Sequence, residues 1–198
     1  MKKDSFFALR IYPLLFMGAV TVICITLVTG IFLSTEDRVR SNELLFFRIA
    51  VLEAAGVEFS PDDYLQVQEI FEQRVVEEQG FYRVNLQDGE TSFVISVTGA
   101  GLWGPIEMML GFFEDLETMT GISILSHNET PGLGARIEEA WFIEQFRGKQ
   151  GPLTLVAEGT ADAPDEIDGI TGATRTTVAV GEIVNRGIRQ VPGTIKEE

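Results

Sequence analysis

Cysteine is almost absent: Cys24 is the only one in 198 residues, so no intramolecular disulfide can form and thiols say nothing of redox compartment. Histidine is equally scarce. His127 stands alone, with no second histidine, free thiol or close carboxylate cluster beside it, which argues against a metal centre. Basic charge is also short, with 15 Lys and Arg against 30 Asp and Glu and a net charge of −15. Lys2, Lys3 and Arg10 fall in the first ten residues beside one acid, Asp4, so the remainder is more acidic still. A surface of that sign excludes nucleic acid as a partner. It is also repelled by anionic lipid, so any membrane attachment has to rest on an apolar segment and on protein partners. No internal repeat and no low-complexity stretch occurs.

One long apolar run is present. Ile11 to Leu33 carries no charge over about 23 residues, enough at about 1.5 Å per residue to cross a hydrocarbon core of roughly 30 Å. A cleaved signal peptide has a shorter apolar region, about 7–15 residues, and ends in a small-x-small site, for which Ile31-Phe32-Leu33 is a poor match. The run reads as a retained single-pass anchor. Lys2, Lys3 and Arg10 in front of it place the N-terminus in the cytoplasm and everything from about Ser34 outside. Arg38 and Arg40 at the far end narrow that contrast.

Beyond the anchor, periodicity predicts helices and strands in one domain. Glu36 to Ala55 reads as a helix ended by Gly56. Ser60-Pro61-Asp62-Asp63 reads as the start of a second helix, capped at Ser60, with Tyr64, Val67, Phe71, Val75 and Val76 as its apolar stripe up to Gly80. Phe81 to Leu86 and Thr91 to Thr98 read as a hairpin turning at Gln87 to Glu90, followed by strands at Ile106 to Phe113 and Gly121 to Leu125. Met108-Met109-Leu110 fits a helix equally well. Ile137 to Phe146 reads as a short amphipathic helix and Leu153 to Ala157 as a strand, with Trp141 and Phe146 as core. The expected class is α+β: a single N-terminal transmembrane helix and one extracytoplasmic domain with a mixed or antiparallel sheet and helices.

The most informative stretch is Asp168-Gly169-Ile170-Thr171-Gly172-Ala173-Thr174-Arg175-Thr176-Thr177. It opens a segment in which Val180, Ile183, Val184, Gly187, Ile188 and Val191 share one helix face. Thr171 is a candidate N-cap, and Gly172 and Ala173 are small enough to let an anion approach the helix start. By itself this is an anion seat beside hydroxyls, and plain capping explains it as well. The full string D-G-I-T-G-A-T resembles the acceptor motif of the bacterial FMN-binding domain family. That family includes the flavin-carrying G subunit of Rnf electron-transport complexes and the C subunit of sodium-translocating NADH:quinone oxidoreductases. The resemblance implies FMN esterified through its phosphate to Thr174 by a flavin transferase, with Thr171, Gly172, Ala173 and Thr177 around the linkage and Asp168 read by the transferase.

Three further stretches are similar to the same family. Gly99-Ala100-Gly101-Leu102-Trp103-Gly104 resembles its G-x-G-L-W segment, although Trp103 alone would read as a core residue at a tight crossing. His127-Asn128-Glu129-Thr130-Pro131-Gly132-Leu133-Gly134 matches H-x-E-T-P-G-L-G. It implies that Glu129, Thr130, Leu133 and Gly134, with Trp103, border the flavin ring. Trp141 to Lys149 resembles W-x(n)-F-x-G-K and carries no chemistry of its own.

The implied organisation is a cytoplasmic tail (1–10), an anchor (11–33), a helical connector (34–80), the FMN-binding domain (81–191) and a C-terminal tail (192–198). The implied function is an electron-carrier subunit of an ion-translocating oxidoreductase complex in the bacterial inner membrane, with other membrane subunits as partners and no substrate site of its own. Gly99 to Gly104 spells G-x-G-x-x-G after a strand but leads into another strand rather than a helix, so it is not read as a dinucleotide-binding turn and NADH would be oxidised elsewhere. A stand-alone membrane-anchored flavin reductase and a non-flavinylated assembly module are the alternatives. The chain length favours the Rnf type of complex and Gly-Leu-Trp the quinone oxidoreductase type, so the parent complex stays open.

Overall fold

A computed structural model describes residues 10–87 and 89–196. Lys2, Lys3 and Asp4 of the expected tail and Asp88 of the expected hairpin turn lie outside them. The chain divides into two compact units, Met1–Leu44 and Leu45–Glu198.

The first helix, α1, runs unbroken from Tyr12 to Ala54 and so crosses the unit boundary. Anchor and connector helix, expected as separate segments, are one element. The sequence between them lacks a breaker: no Gly or Pro separates Leu33 from Glu36, and Ser34 and Thr35 return their hydroxyls to the Gly30 and Ile31 carbonyls. The helix is long and apolar enough to cross a membrane. It stops at a left-handed Gly56 (φ 78), where Val57 N–H reaches back 3.0 Å to the Leu52 carbonyl.

In the second unit, α2 (Tyr64–Arg74) is capped by Asp63, which accepts from the Leu65 and Gln66 N–H groups; the expected cap, Ser60, lies outside the helix. Val75 and Val76 leave the helical stripe. They form β1 (Val75–Glu78), paired antiparallel with β2 (Phe81–Asn85). Adjacent β-branched residues gain little from extending a helix, and here a neighbouring strand pairs with them. β3 (Thr91–Ala100), β4 (Pro105–Phe113) and β5 (Met119–Ser126) complete a five-stranded antiparallel meander in chain order, in which Met108 to Leu110 are strand.

The two-residue strand period splits the core into two layers. Ile106, Met108, Leu110 and Phe112 of β4 share one cluster with Ile95, Val97 and Phe142, while Met109 joins the other with Val84 and Val94. The end of α1 (Ala50, Val51, Leu52, Ala54) is buried in that second layer. The first layer is covered by α4 (Thr174–Lys196) through Val180, Ile183, Val184 and Val191. This helix passes Val191 and carries Pro192 within it, so the expected C-terminal tail is helical up to Lys196.

Between β5 and α4 the chain is mostly short elements. The helix expected over 137–146 is a 3-10 turn at Gly134–Glu138 and then α3 (Ala140–Glu144), broken where Glu139 turns extended (φ −66, ψ 137). Phe146 is buried as expected, but Trp141 is 37% exposed and lies 5.6 Å below the Arg136 guanidinium. β6 (Thr154–Val156) pairs in parallel with β7 (Glu166–Asp168), a strand not expected from the sequence that runs into the acceptor motif.

Candidate functional site

Thr174 opens α4, and the first helical bond there runs from Thr177 N–H to the Ala173 carbonyl. The N–H groups of Thr174, Arg175 and Thr176 precede that bond, at the positive end of a 23-residue helix. Thr171 is not the cap. It lies in the turn closed by Ala173 N–H on the Ile170 carbonyl, and its own N–H donates to Glu158 Oε2 at 2.7 Å. Gly172 between them takes φ 83, a conformation that a side chain would strain.

The hydroxyls of the first helical turn have different fates. Thr177 is fully buried: it donates to the Ala173 carbonyl and accepts from Ile170 N–H, locking the turn before the helix. Thr176 is 1% exposed and donates to Glu129 Oε2 at 2.6 Å. Thr174 alone of the three is exposed. It borders two hollows, and Thr177 lines neither.

One is a hollow of about 390 Å³ lined by Leu102, Trp103, Glu129, Thr130, Leu133, Gly134 and Gly172 to Thr176. This brings together Trp103, Glu129, Thr130, Leu133, Gly134, Gly172, Ala173 and Thr174, which are far apart in sequence. Trp103 is 68% exposed on its rim rather than in the core, and Leu133 is 49% exposed. The second hollow, about 420 Å³, lies on the other side of Thr174 between Leu155 to Glu158 and Gly169 to Gly172, and includes Thr171.

Glu129 is the hub of the first hollow. It is buried, and its Oε1 accepts from the N–H groups of Leu102 (2.7 Å) and Trp103 (3.2 Å). One carboxylate therefore fastens the glycine-rich turn after β3, through Oε1, to the start of α4, through Oε2. Its own N–H donates to His127 Nδ1 at 2.9 Å, and His127 Nε2 lies 3.0 Å from Glu138. Burial pushes the Glu129 carboxyl up, but the hydrogen bonds from Thr176, Trp103 and Leu102, with His127 nearby, bring it below the ordinary value. Room at this hub is tight: a Cβ on Gly134 would sit 2.8 Å from Glu129 Oε2 and 2.9 Å from Thr176 Oγ1.

Asp168 lies at the end of β7, outside the first hollow. Its Oδ1 accepts from Thr160 N–H (2.9 Å) and Ala161 N–H (2.8 Å), folding the loop after β6 back beside the second hollow. Sequence reading missed Arg175, Leu102 and Glu158 as wall residues. Leu102 is the Leu of G-x-G-L-W and Arg175 directly follows D-G-I-T-G-A-T, so both stood beside the residues singled out, and Glu158 is adjacent only through the β6–β7 pairing.

The chain is similar to several known proteins. Residues 101–189 match the FMN-binding domain family. The C subunit of the Na(+)-translocating NADH-quinone reductase of Chlamydia trachomatis is 34% identical over 114 residues, covering 46% of this chain and 36% of that protein. The G subunit of the Na(+)-translocating ferredoxin:NAD(+) oxidoreductase complex of Acetobacterium woodii is 39% identical over 92 residues, 46% of this chain and 44% of that protein. The alignments thus span less than half the length of both relatives. The crystal structure of the C subunit of a Na(+)-translocating NADH-quinone reductase from Parabacteroides distasonis superposes with a TM-score of 0.65 at 24% identity, covering 80% of this chain and 96% of that one. The fold is therefore the one that structure has, and the motifs from Gly101 onward lie within the FMN-binding domain match.

Proposed function

We propose that the chain is a membrane-anchored electron-carrier subunit holding one FMN, joined through its phosphate to the Thr174 hydroxyl, in an ion-translocating oxidoreductase complex. The observation that carries the reading is the contrast among three hydroxyls: Thr176 and Thr177 are buried and hydrogen-bonded, while Thr174 is exposed between two hollows at a helix start. The fit is chemical as well as spatial. The free N–H groups of the first α4 turn favour a phosphate, and the exposed faces of Trp103, Leu102 and Leu133 suit a flat ring. When bound, the flavin supplies the electron storage and the protein supplies position and electrostatics. Glu129, ionised and triply hydrogen-bonded, holds the wall rigid.

Thr171, Gly172 and Ala173 shape the approach to Thr174, and Asp168 orders the neighbouring loop that a flavin transferase would meet. Apolar residues left exposed on the rim favour docking of other membrane subunits over the site. The α1 span favours single-pass insertion in the inner membrane, and Lys2, Lys3 and Arg10 ahead of it favour an extracytoplasmic flavin domain.

The test is co-expression with a flavin transferase. Wild type should gain the mass of one FMN less one water and fluoresce in a gel, and Thr174→Val should do neither. An increment that survives Thr174→Val but vanishes in Thr176→Val would move the site.

A further inference from the structure

We infer that Arg175 is the positioning residue that sets the charge preference of the flavin pocket: it faces the ring and stabilises the negative charge that the ring gains on reduction. This rests on the reading that Thr174 carries FMN.

Arg175 follows Thr174 and lines the same hollow as Trp103 and Glu129. It is exposed and forms no ion pair among the described residues, in a chain with twice as many acids as bases. Arg83 pairs with Glu78, Arg136 with Glu139 and Glu158, and Arg186 donates to the Thr98 carbonyl; Arg175 is the arginine that lines the hollow. Glu129, the one carboxylate lining the hollow, forms no ion pair with Arg175: its two oxygens accept from Leu102, Trp103 and Thr176. The Arg175 guanidinium, together with the α4 N-terminus, therefore places unpaired positive charge in the wall next to Thr174.

The consequence is electrochemical. Reduction of the isoalloxazine by two electrons with uptake of one proton leaves one more negative charge on the ring than before. A cation facing the ring favours that product and raises the midpoint potential. A guanidinium bound only to the phosphate linkage, whose charge does not change, would move the potential far less.

The experiment uses the full chain co-expressed with a flavin transferase and titrated with dithionite against a reference dye. Flavin occupancy is read from intact mass in every variant. Arg175→Lys should keep the wild-type midpoint, Arg175→Met should lower it, and Arg175→Glu should lower it further. The spacing between the three should shrink as salt is raised. Flavin-loaded variants that all share the wild-type midpoint would overturn the role of Arg175 and leave Thr174 untouched. A folded Arg175→Met chain that stays unloaded, while Arg175→Lys loads, would assign the side chain to transferase recognition instead. A wild-type chain without flavin would overturn the Thr174 reading and this one with it.

Discussion

The strongest constraint at the level of single residues is Glu129, because three donors from two distant segments meet on one buried carboxylate. Glu129→Ala strands all three and is expected to cost about 2–4 kcal/mol in denaturant unfolding. A loss under about 1 kcal/mol would mean that water replaces the carboxylate easily. The pH dependence has a definite sign. The folded-state carboxyl titrates below its ordinary value, so its contribution is present above the ordinary carboxylate range and is lost as pH falls through the lowered value. Comparing stability against pH for wild type and Glu129→Gln should show a shallower acid loss in the variant. Asp168 poses a separate question, since its Oδ1 has a structural task at Thr160 and Ala161. Asp168→Asn keeps an acceptor there and removes the charge. It should unfold within about 0.5 kcal/mol of wild type yet carry little flavin if the transferase reads the carboxylate. Full loading would leave Asp168 as a loop anchor only.

Among the elements, legibility followed how far each signal depended on local pattern. The hairpin strands, the long apolar helix and α4 could be read because period 2 and period 3.6 extend over enough residues to be distinct. Val75 and Val76 could not, since they continue the stripe of Tyr64, Val67 and Phe71, and only pairing with Arg83 and Val84 decides for strand. β7 is three residues long and gains its identity from β6. The break at Glu139 likewise has no strong local breaker. The site residues were legible as motifs, but not their division of labour: the sequence does not distinguish the exposed Thr174 from the buried Thr176 and Thr177. The joint between the 3-10 turn and α4 offers a test. Gly134→Ala places a methyl against Glu129 and Thr176 and should destabilise by about 1–3 kcal/mol in chemical denaturation. A neutral result would show that the turn can shift outward freely.

Across the whole molecule, acidity and the apolar span act together. A net charge of −15 disfavours anionic surfaces, and α1 is the segment long and apolar enough to cross a membrane. Orientation rests on Lys2, Lys3 and Arg10 against Arg38 and Arg40. Single cysteines at Ser60 or Asp162 in a Cys24→Ser background should react with a membrane-impermeant maleimide in spheroplasts. Labelling only after lysis would put the domain in the cytoplasm.

The most direct measurement concerns Thr174 itself. Trypsin cuts after Lys149 and Arg175, so the peptide Gln150–Arg175 contains the candidate hydroxyl together with Thr154, Thr160 and Thr171. Tandem mass spectrometry of that peptide from co-expressed protein should place one FMN, less one water, on Thr174. The same increment on Thr160 or Thr171, or an unmodified peptide from flavin-fluorescent protein, would contradict it.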